Sequence, residues 1–323
     1  MKINPTSKKI HPLRSLILLA ALAIPLVLSA CGNNNDLKPV EGKVNVVTTL
    51  YPLYYFASEI GGEDARVVNL VPTGVEPHDW TPKSRDIQIA SEAQMLLFNG
   101  AGLEGWKDGF LKGLNANKSR LVVEASQGIE LIRSEGDGHG ADEHADEHGL
   151  NVDPHTWVSP KSALKMAENI RDAYVQADPA HQAAFESRYN TLRDKLQALD
   201  QKFTAELAPY KGRGIVVSHQ AFGYLCRDYG LNQTALMGLS PDAEPRSQDI
   251  VNIIQFVKEH QIKAIFFEEL VSNKLTETVA KETNAEMLVL NPVEGLTPEQ
   301  EKAGDDYFSL MAKNLQNLKK ALQ

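Results

Sequence analysis

The pattern of apolar and polar positions changes period along the chain. Short apolar runs rich in β-branched residues occur at Val44–Val47, Arg66–Val71, Met95–Phe98 and Leu121–Val123, and they read as buried strands. Helix-like spacing separates them, as at Tyr54–Ile60 and Ser84–Ser91. The same alternation returns at Gly214–Ser218, Thr234–Met237, Ala264–Glu268 and Met287–Leu290, with helical patterns at Ser247–His260 and Lys274–Thr283. Strands and helices in alternation predict an α/β fold whose mostly parallel sheets are covered by helices on both faces.

A long helical signal lies between the two sets. Phe185, Tyr189, Leu192, Leu196, Leu199, Phe203 and Leu207 recur at intervals of three and four, the spacing of one helix face. Asp178 offers an N-cap and Pro179 a first helical position. Pro209 and Gly212 stop the run. At 1.5 Å per residue the span 179–207 makes a helix of roughly 43 Å. That length suits a stiff backbone strut joining two lobes, which would restrict hinge opening between them. The predicted organisation is an N-terminal α/β lobe over 44–177, a linking helix over 178–208 and a C-terminal α/β lobe over 209–323.

The first residues follow a different pattern. Lys2, Lys8, Lys9 and Arg14 precede an apolar run of 13 residues, Leu16–Leu28. A helix needs about 20 apolar residues to cross a bilayer, so the run suits a signal peptide over 1–30. Leu28-Ser29-Ala30-Cys31 resembles a bacterial lipobox, which implies that Cys31 becomes a lipidated N-terminus. Residues 31–43 then read as the lipidated cysteine and a polar, flexible tether. The chain is expected to be anchored to the outer face of the cell membrane and not to span it. A net charge of −9 argues against nucleic acid as a partner. The one other cysteine, Cys226, cannot form an internal disulfide and reads as a buried helical thiol.

Four segments carry candidate chemistry. Glu76–Trp80 reads EPHDW and Asp153–Trp157 reads DPHTW, so Pro-His-x-Trp occurs twice in a chain with few His and fewer Trp. Val217–Phe222 (VSHQAF) leaves a strand and reads as opening a helix, at the strand end where α/β proteins bind ligands. Leu290–Gly295 (LNPVEG) leaves another strand end and carries a carboxylate. A histidine taken alone is more often structural. Three histidines and a glutamate at strand exits together suit a transition metal, since neutral imidazole and carboxylate bind Zn²⁺ at about 2.0–2.2 Å, usually in a tetrahedron.

Together with the lipobox, the segments GVEPHDW, VDPHTWVSP, VSHQAFGYL, FFEEL and LNPVEGLT resemble those of the zinc-binding lipoproteins of bacterial ABC importers. These belong to the cluster A-I solute-binding proteins, which also include manganese binders. The resemblance covers essentially the whole mature chain. It implies two α/β lobes joined by a long helix, with one metal in the cleft. The ligands it implies are His78 and His155 from the N-terminal lobe and His219 and Glu294 from the C-terminal lobe. Glu268, Glu269 or a water stand as alternatives to Glu294. Manganese binders of the family resemble a two-His, two-carboxylate pattern, with a carboxylate where His219 stands and an Asp in the loop after the FFEE-like strand. Here that loop reads Leu270-Val271-Ser272-Asn273. Three imidazoles suit Zn²⁺, whereas Mn²⁺ favours oxygen. The resemblance thus implies a monomeric carrier, not an enzyme, that captures Zn²⁺ and delivers it to a membrane permease with a separate ATPase. A manganese importer, a surface adhesin and a zinc hydrolase with an open coordination position are the other readings.

The segment 134–149 reads SEGDGHGADEHADEHG. It holds His139, His144 and His148 among carboxylates, with no large apolar residue, and is expected to be a solvated loop. His-rich tracts bind metal, so it reads as an accessory, low-affinity metal collector. His144–His148 also matches H-x-x-E-H, a metalloprotease motif, but the stretch lacks the apolar face such a helix needs.

Overall fold

A computed structural model of the chain describes residues 1–2, 38–115, 119–133, 152–241 and 247–323. Cys31, His139, His144 and His148 lie outside the described residues. Every strand and helix below belongs to the unit Pro39–Gln323, which is distinct from Met1–Lys38. Among the described residues no helix is long and apolar enough to cross a membrane.

Two four-stranded sheets form, each wholly parallel. The first contains β1 (Val44–Thr48), β2 (Ala65–Asn69), β3 (Met95–Phe98) and β4 (Leu121–Glu124), in the order β2-β1-β3-β4. The second contains β5 (Gly214–Val217), β6 (Asn232–Ala235), β7 (Ala264–Phe267) and β8 (Glu286–Val289), in the order β6-β5-β7-β8. Every residue of the central strands β1 and β3 is buried, whereas burial alternates along the edge strand β4. That contrast explains why β3 shows as an unbroken apolar run, while β1 buries Asn45 and Thr48 as well.

The strand β6 lies two residues earlier than the apolar run Thr234–Met237 predicts. Its pairing with β5 joins Gly214 to Asn232 and Val217 to Ala235, so backbone register and not hydrophobicity sets its start. In each sheet the strand order reverses between two neighbours, β1 and β3 in the first and β5 and β7 in the second. Such switch points open a crevice at the strands' C-terminal ends.

Ten α-helices cover the sheets among the described residues: α1 (Tyr51–Gly61), α2 (Ser84–Ser91), α3 (Lys107–Gly113), α4 (Pro160–Ala177), α5 (Gln182–Leu207), α6 (Gly223–Tyr229), α7 (Ser247–Glu259), α8 (Lys274–Thr283), α9 (Pro298–Ala303) and α10 (Tyr307–Leu322). The long α5 is the predicted strut. Asp178 accepts a hydrogen bond from Ala180 N at 3.2 Å and caps a short 3₁₀ turn, Pro179–His181, that leads into α5. The seven apolar residues spaced along it are its buried residues.

Helix α5 packs on α1 and α4 and also on α6 and α10, so it touches helices from both sides of the chain. One continuous apolar core includes Phe56, Trp157, Phe185, Phe203, Phe222 and Tyr307. Phe56 of α1 and Tyr307 of α10 meet edge to face with ring centres 4.9 Å apart. A smaller cluster, including Val216, Ile253, Ile265 and Val279, lies between the second sheet and helices α7 and α8.

Candidate metal centre

Parallel register brings the first pair of polar side chains together. Val216 of β5 is paired with Ile265 of β7, so the residues three further on, His219 and Glu268, leave adjacent strand ends at the second switch point. Glu268 Oε1 lies 2.7 Å from His219 Nδ1 and accepts from His219 N at 3.3 Å. Ser218 Oγ donates to the same oxygen.

The first sheet holds His155 by similar means. Asn99 follows β3, donates from Nδ2 to Pro154 O at 2.9 Å and accepts from Thr156 Oγ1 at 3.2 Å. The Glu104 carboxylate fixes that turn, accepting from Asn99 N, Gly100 N and Thr49 Oγ1 at 2.7, 3.0 and 2.6 Å. Asp153 Oδ1 accepts from His155 N at 2.9 Å and lies 2.8 Å from its Nδ1. Gly223 makes room for this carboxylate, because a Cβ there would sit 2.3 Å from Asp153 Oδ2.

His78 occupies a 3₁₀ turn, Pro77–Asp79, whose N-cap is Glu76. Glu76 Oε1 accepts from His78 N at 3.2 Å. The two repeated segments therefore share more than Pro-His-x-Trp. In each, an acid two residues before the histidine takes the histidine's own N–H. The tryptophans diverge in role. Trp80 packs edge to face on Trp106, while Trp157 is fully buried and donates from Nε1 to Pro292 O at 2.7 Å.

That last bond reaches the segment carrying Glu294. Asn291 accepts from Val293 N at 2.7 Å and exchanges two bonds with Asn314, 2.8 Å from its N and 2.6 Å to its O. Val293 is held at φ +61°, a conformation that β-branched residues rarely adopt. The network turns Glu294 inward, and the residue is 2 % exposed.

These four residues converge on one point. His155 Nε2 lies 3.2 Å from His78 Nε2, 3.3 Å from His219 Nε2 and 3.2 Å from Glu294 Oε1. Glu294 Oε1 lies 3.6 Å from His78 Nε2 and 3.8 Å from His219 Nε2. A tetrahedral ion with bonds of about 2.0–2.1 Å sets its donors about 3.3 Å apart, which matches these separations. Neither Glu294 oxygen has a well-aligned hydrogen bond among the described residues. A buried carboxylate in that state calls for positive charge beside it, a protonated imidazole before metal binds or a metal ion in its place. Glu268 and Glu269, the sequence-level alternatives to Glu294, stand elsewhere. Glu268 supports His219 through Nδ1, and Glu269 Oε2 accepts from Asn291 and Gln300 at 2.7 and 2.6 Å.

The description "zinc-uptake complex component A, periplasmic" belongs to a family whose profile matches residues 46–321. The chain belongs to this family. The zinc-binding protein AdcA of Streptococcus pyogenes is 39 % identical over 289 residues, which are 86 % of this chain and 56 % of that protein. The chain thus spans little more than half of that relative's length. The high-affinity zinc uptake system protein ZnuA of Bacillus subtilis is 35 % identical over 301 residues, 92 % of this chain and 94 % of that protein. Among solved structures, the Zn(II)-bound ZnuA-like domain of Streptococcus pneumoniae AdcA superposes with a TM-score of 0.73 at 36 % identity, covering 87 % of this chain and 99 % of that one.

In this member of the zinc-uptake family, the supporting carboxylates set the protonation of the site. With Nδ1 facing Asp153 in His155 and Glu268 in His219, Nε2 is the nitrogen left for a metal. Burial alone would lower the His155 pKa, but Asp153 and Glu294 outweigh it and raise it to about 9. Burial also opposes ionisation of Glu294, yet the His155 and His78 rings aimed at it hold it well below the usual carboxylate range. Burial, then the nearby Glu294 carboxylate, push Glu76 up to about 10.

With His155 as a proposed ligand, a metal arriving at pH 7 is expected to displace its proton. Raising the pH removes that competitor, so affinity should rise with pH until about 9, by about tenfold per unit for one proton. Calorimetric titration in two buffers of different ionisation enthalpy should show about one proton released per Zn²⁺. Heats independent of the buffer would mean that His155 is already neutral.

Proposed function

We propose that this protein captures Zn²⁺ outside the cytoplasmic membrane and hands it to an ABC permease served by a separate ATPase. The convergence of three imidazole nitrogens and one carboxylate oxygen at tetrahedral spacing carries the reading. His78, His155, His219 and Glu294 are the ligands. Three nitrogen donors favour Zn²⁺ over Mn²⁺, which prefers oxygen. Four protein ligands also leave no open position for a metal-bound water, so the site suits carriage and not hydrolysis. The zinc-related names of the relatives support the same reading. Cys31 is the lipid attachment point that holds the carrier at the membrane.

The test is zinc uptake by cells grown at limiting zinc. Loss of this protein should slow uptake of labelled Zn²⁺, the wild-type chain should restore it and His219→Ala should not. Unchanged uptake without the protein, under conditions where it is normally made, would overturn the proposal.

A further inference from the structure

We propose that a second cation position, made of oxygen ligands alone, lies directly behind Glu294, and that the ion occupies it in passing on its way to and from the three imidazoles. The proposal rests on the carrier reading above. A small cavity adjoins the four-residue site, lined by the carboxylates Glu76, Glu268, Glu269 and Glu294, by Asn291, and on its apolar side by Leu270 and Pro292. Its volume is about 10 Å³, close to the room one water or one bare ion needs and far too small for an organic ligand.

The carboxylates around it exceed what the tetrahedron requires. All three imidazole distances to Glu294 run to Oε1, so Oε2 is the oxygen left over. Glu294 Oε2, Glu268 Oε2 and Glu76 Oε2 are each buried without a hydrogen-bond partner among the described residues. Glu268 and Glu294 are only 3 % and 2 % exposed. Buried carboxylate oxygens without donors are costly; a proton can relieve one of them, whereas one divalent cation would relieve several at once. Glu268 needs only Oε1 to orient His219, and Glu76 needs only Oε1 to hold the His78 N–H.

The donor chemistry fits a transit position better than a resting one. Oxygen ligands alone hold a borderline ion such as Zn²⁺ less firmly than a set with three imidazoles. Glu294 can face both positions, with Oε1 toward the histidines and Oε2 toward the cavity. The lining also reaches Glu269, which is exposed at the surface. Carboxylates thus extend from the buried ligand to solvent, and each would offer a departing ion a new bond as an old one breaks.

Stopped-flow kinetics on the full-length protein test this directly. Zn²⁺ association would be followed by competition with a fluorescent chelator, and release by transfer to an excess of chelator. Glu76→Gln keeps an oxygen acceptor for the His78 N–H while removing the group that can ionise to receive the ion. Association and release should both slow, each by about tenfold, so that the equilibrium constant moves less than either rate. Glu76→Asp, which restores a carboxylate, should recover much of the loss. Faster release at an unchanged association rate would overturn the proposal, because Glu76 would then merely strengthen the resting site. Unchanged rates would overturn it equally. Failure of the wild-type protein to bind one Zn²⁺ tightly would instead sink the carrier reading, so the two failures are distinguishable.

Discussion

Replacing His219 with alanine is expected to weaken Zn²⁺ binding by about a thousandfold, or roughly 4 kcal/mol. The substitution would remove one of the four proposed donors, and the ring that Glu268 holds in place. It also strands Glu268, whose buried Oε1 would keep only Ser218 as a side-chain partner. Glu294→Ala should be impaired as well, though water can reach the vacated position and replace the oxygen donor. Deleting 134–149 should leave the tight site intact. Competition against a chromogenic chelator measures all three. Tight binding that disappears with that segment and ignores His219→Ala would show that the converging histidines serve packing alone.

Trp157→Ala should cost the fold about 3–5 kcal/mol, the range for deleting a large buried aromatic side chain. The indole is fully buried between Pro292 O, which receives its Nε1–H, and the shared core. Its own carbonyl accepts from Tyr307 O–H at 2.8 Å, which ties the His155 segment to α10. Alanine would leave both a cavity and an unpaired carbonyl at Pro292. Trp157→Phe fills most of the space but omits the donor, so it should lose about 1–3 kcal/mol. Because Pro292 precedes the residue that turns Glu294 inward, both variants should also bind Zn²⁺ less well. Urea denaturation followed by circular dichroism, with and without Zn²⁺, reports the two effects separately. Wild-type stability in Trp157→Ala would refute the brace.

The parts of this structure visible in the sequence are those written in local patterns. Seven apolar residues at helical spacing marked α5, and runs such as Met95–Phe98 marked central strands because both faces are buried. Helix α4 is absent from the predicted elements, since small alanines at 163, 167 and 173 form much of its buried face. The strand β6 begins with Asn232 and Gln233, polar residues on an edge, and so its start was hidden. The acid two places before each Pro-His histidine was legible, as E-P-H and D-P-H, but its use as an acceptor for the histidine N–H needed the local geometry. Glu268 shows the limit most clearly. Nothing near it in sequence names His219 as its partner; only the β5–β7 register does. The left-handed backbone at Val293 could not be read either, because a valine gives no hint of a conformation it disfavours.

The larger core that joins Phe56 to Tyr307 also bears on the protein's lifetime in the cell. Residues contributed from both sides of α5 pack on one another in this core, and a ligand bound at one small site stabilises the folded state they share. At a zinc activity a hundred times the dissociation constant the protection amounts to about 2.7 kcal/mol. The protein without zinc would unfold correspondingly more often and meet proteases more often. Under the proposed carrier role, zinc starvation, when the protein is most needed, would thus be the condition under which each copy turns over fastest.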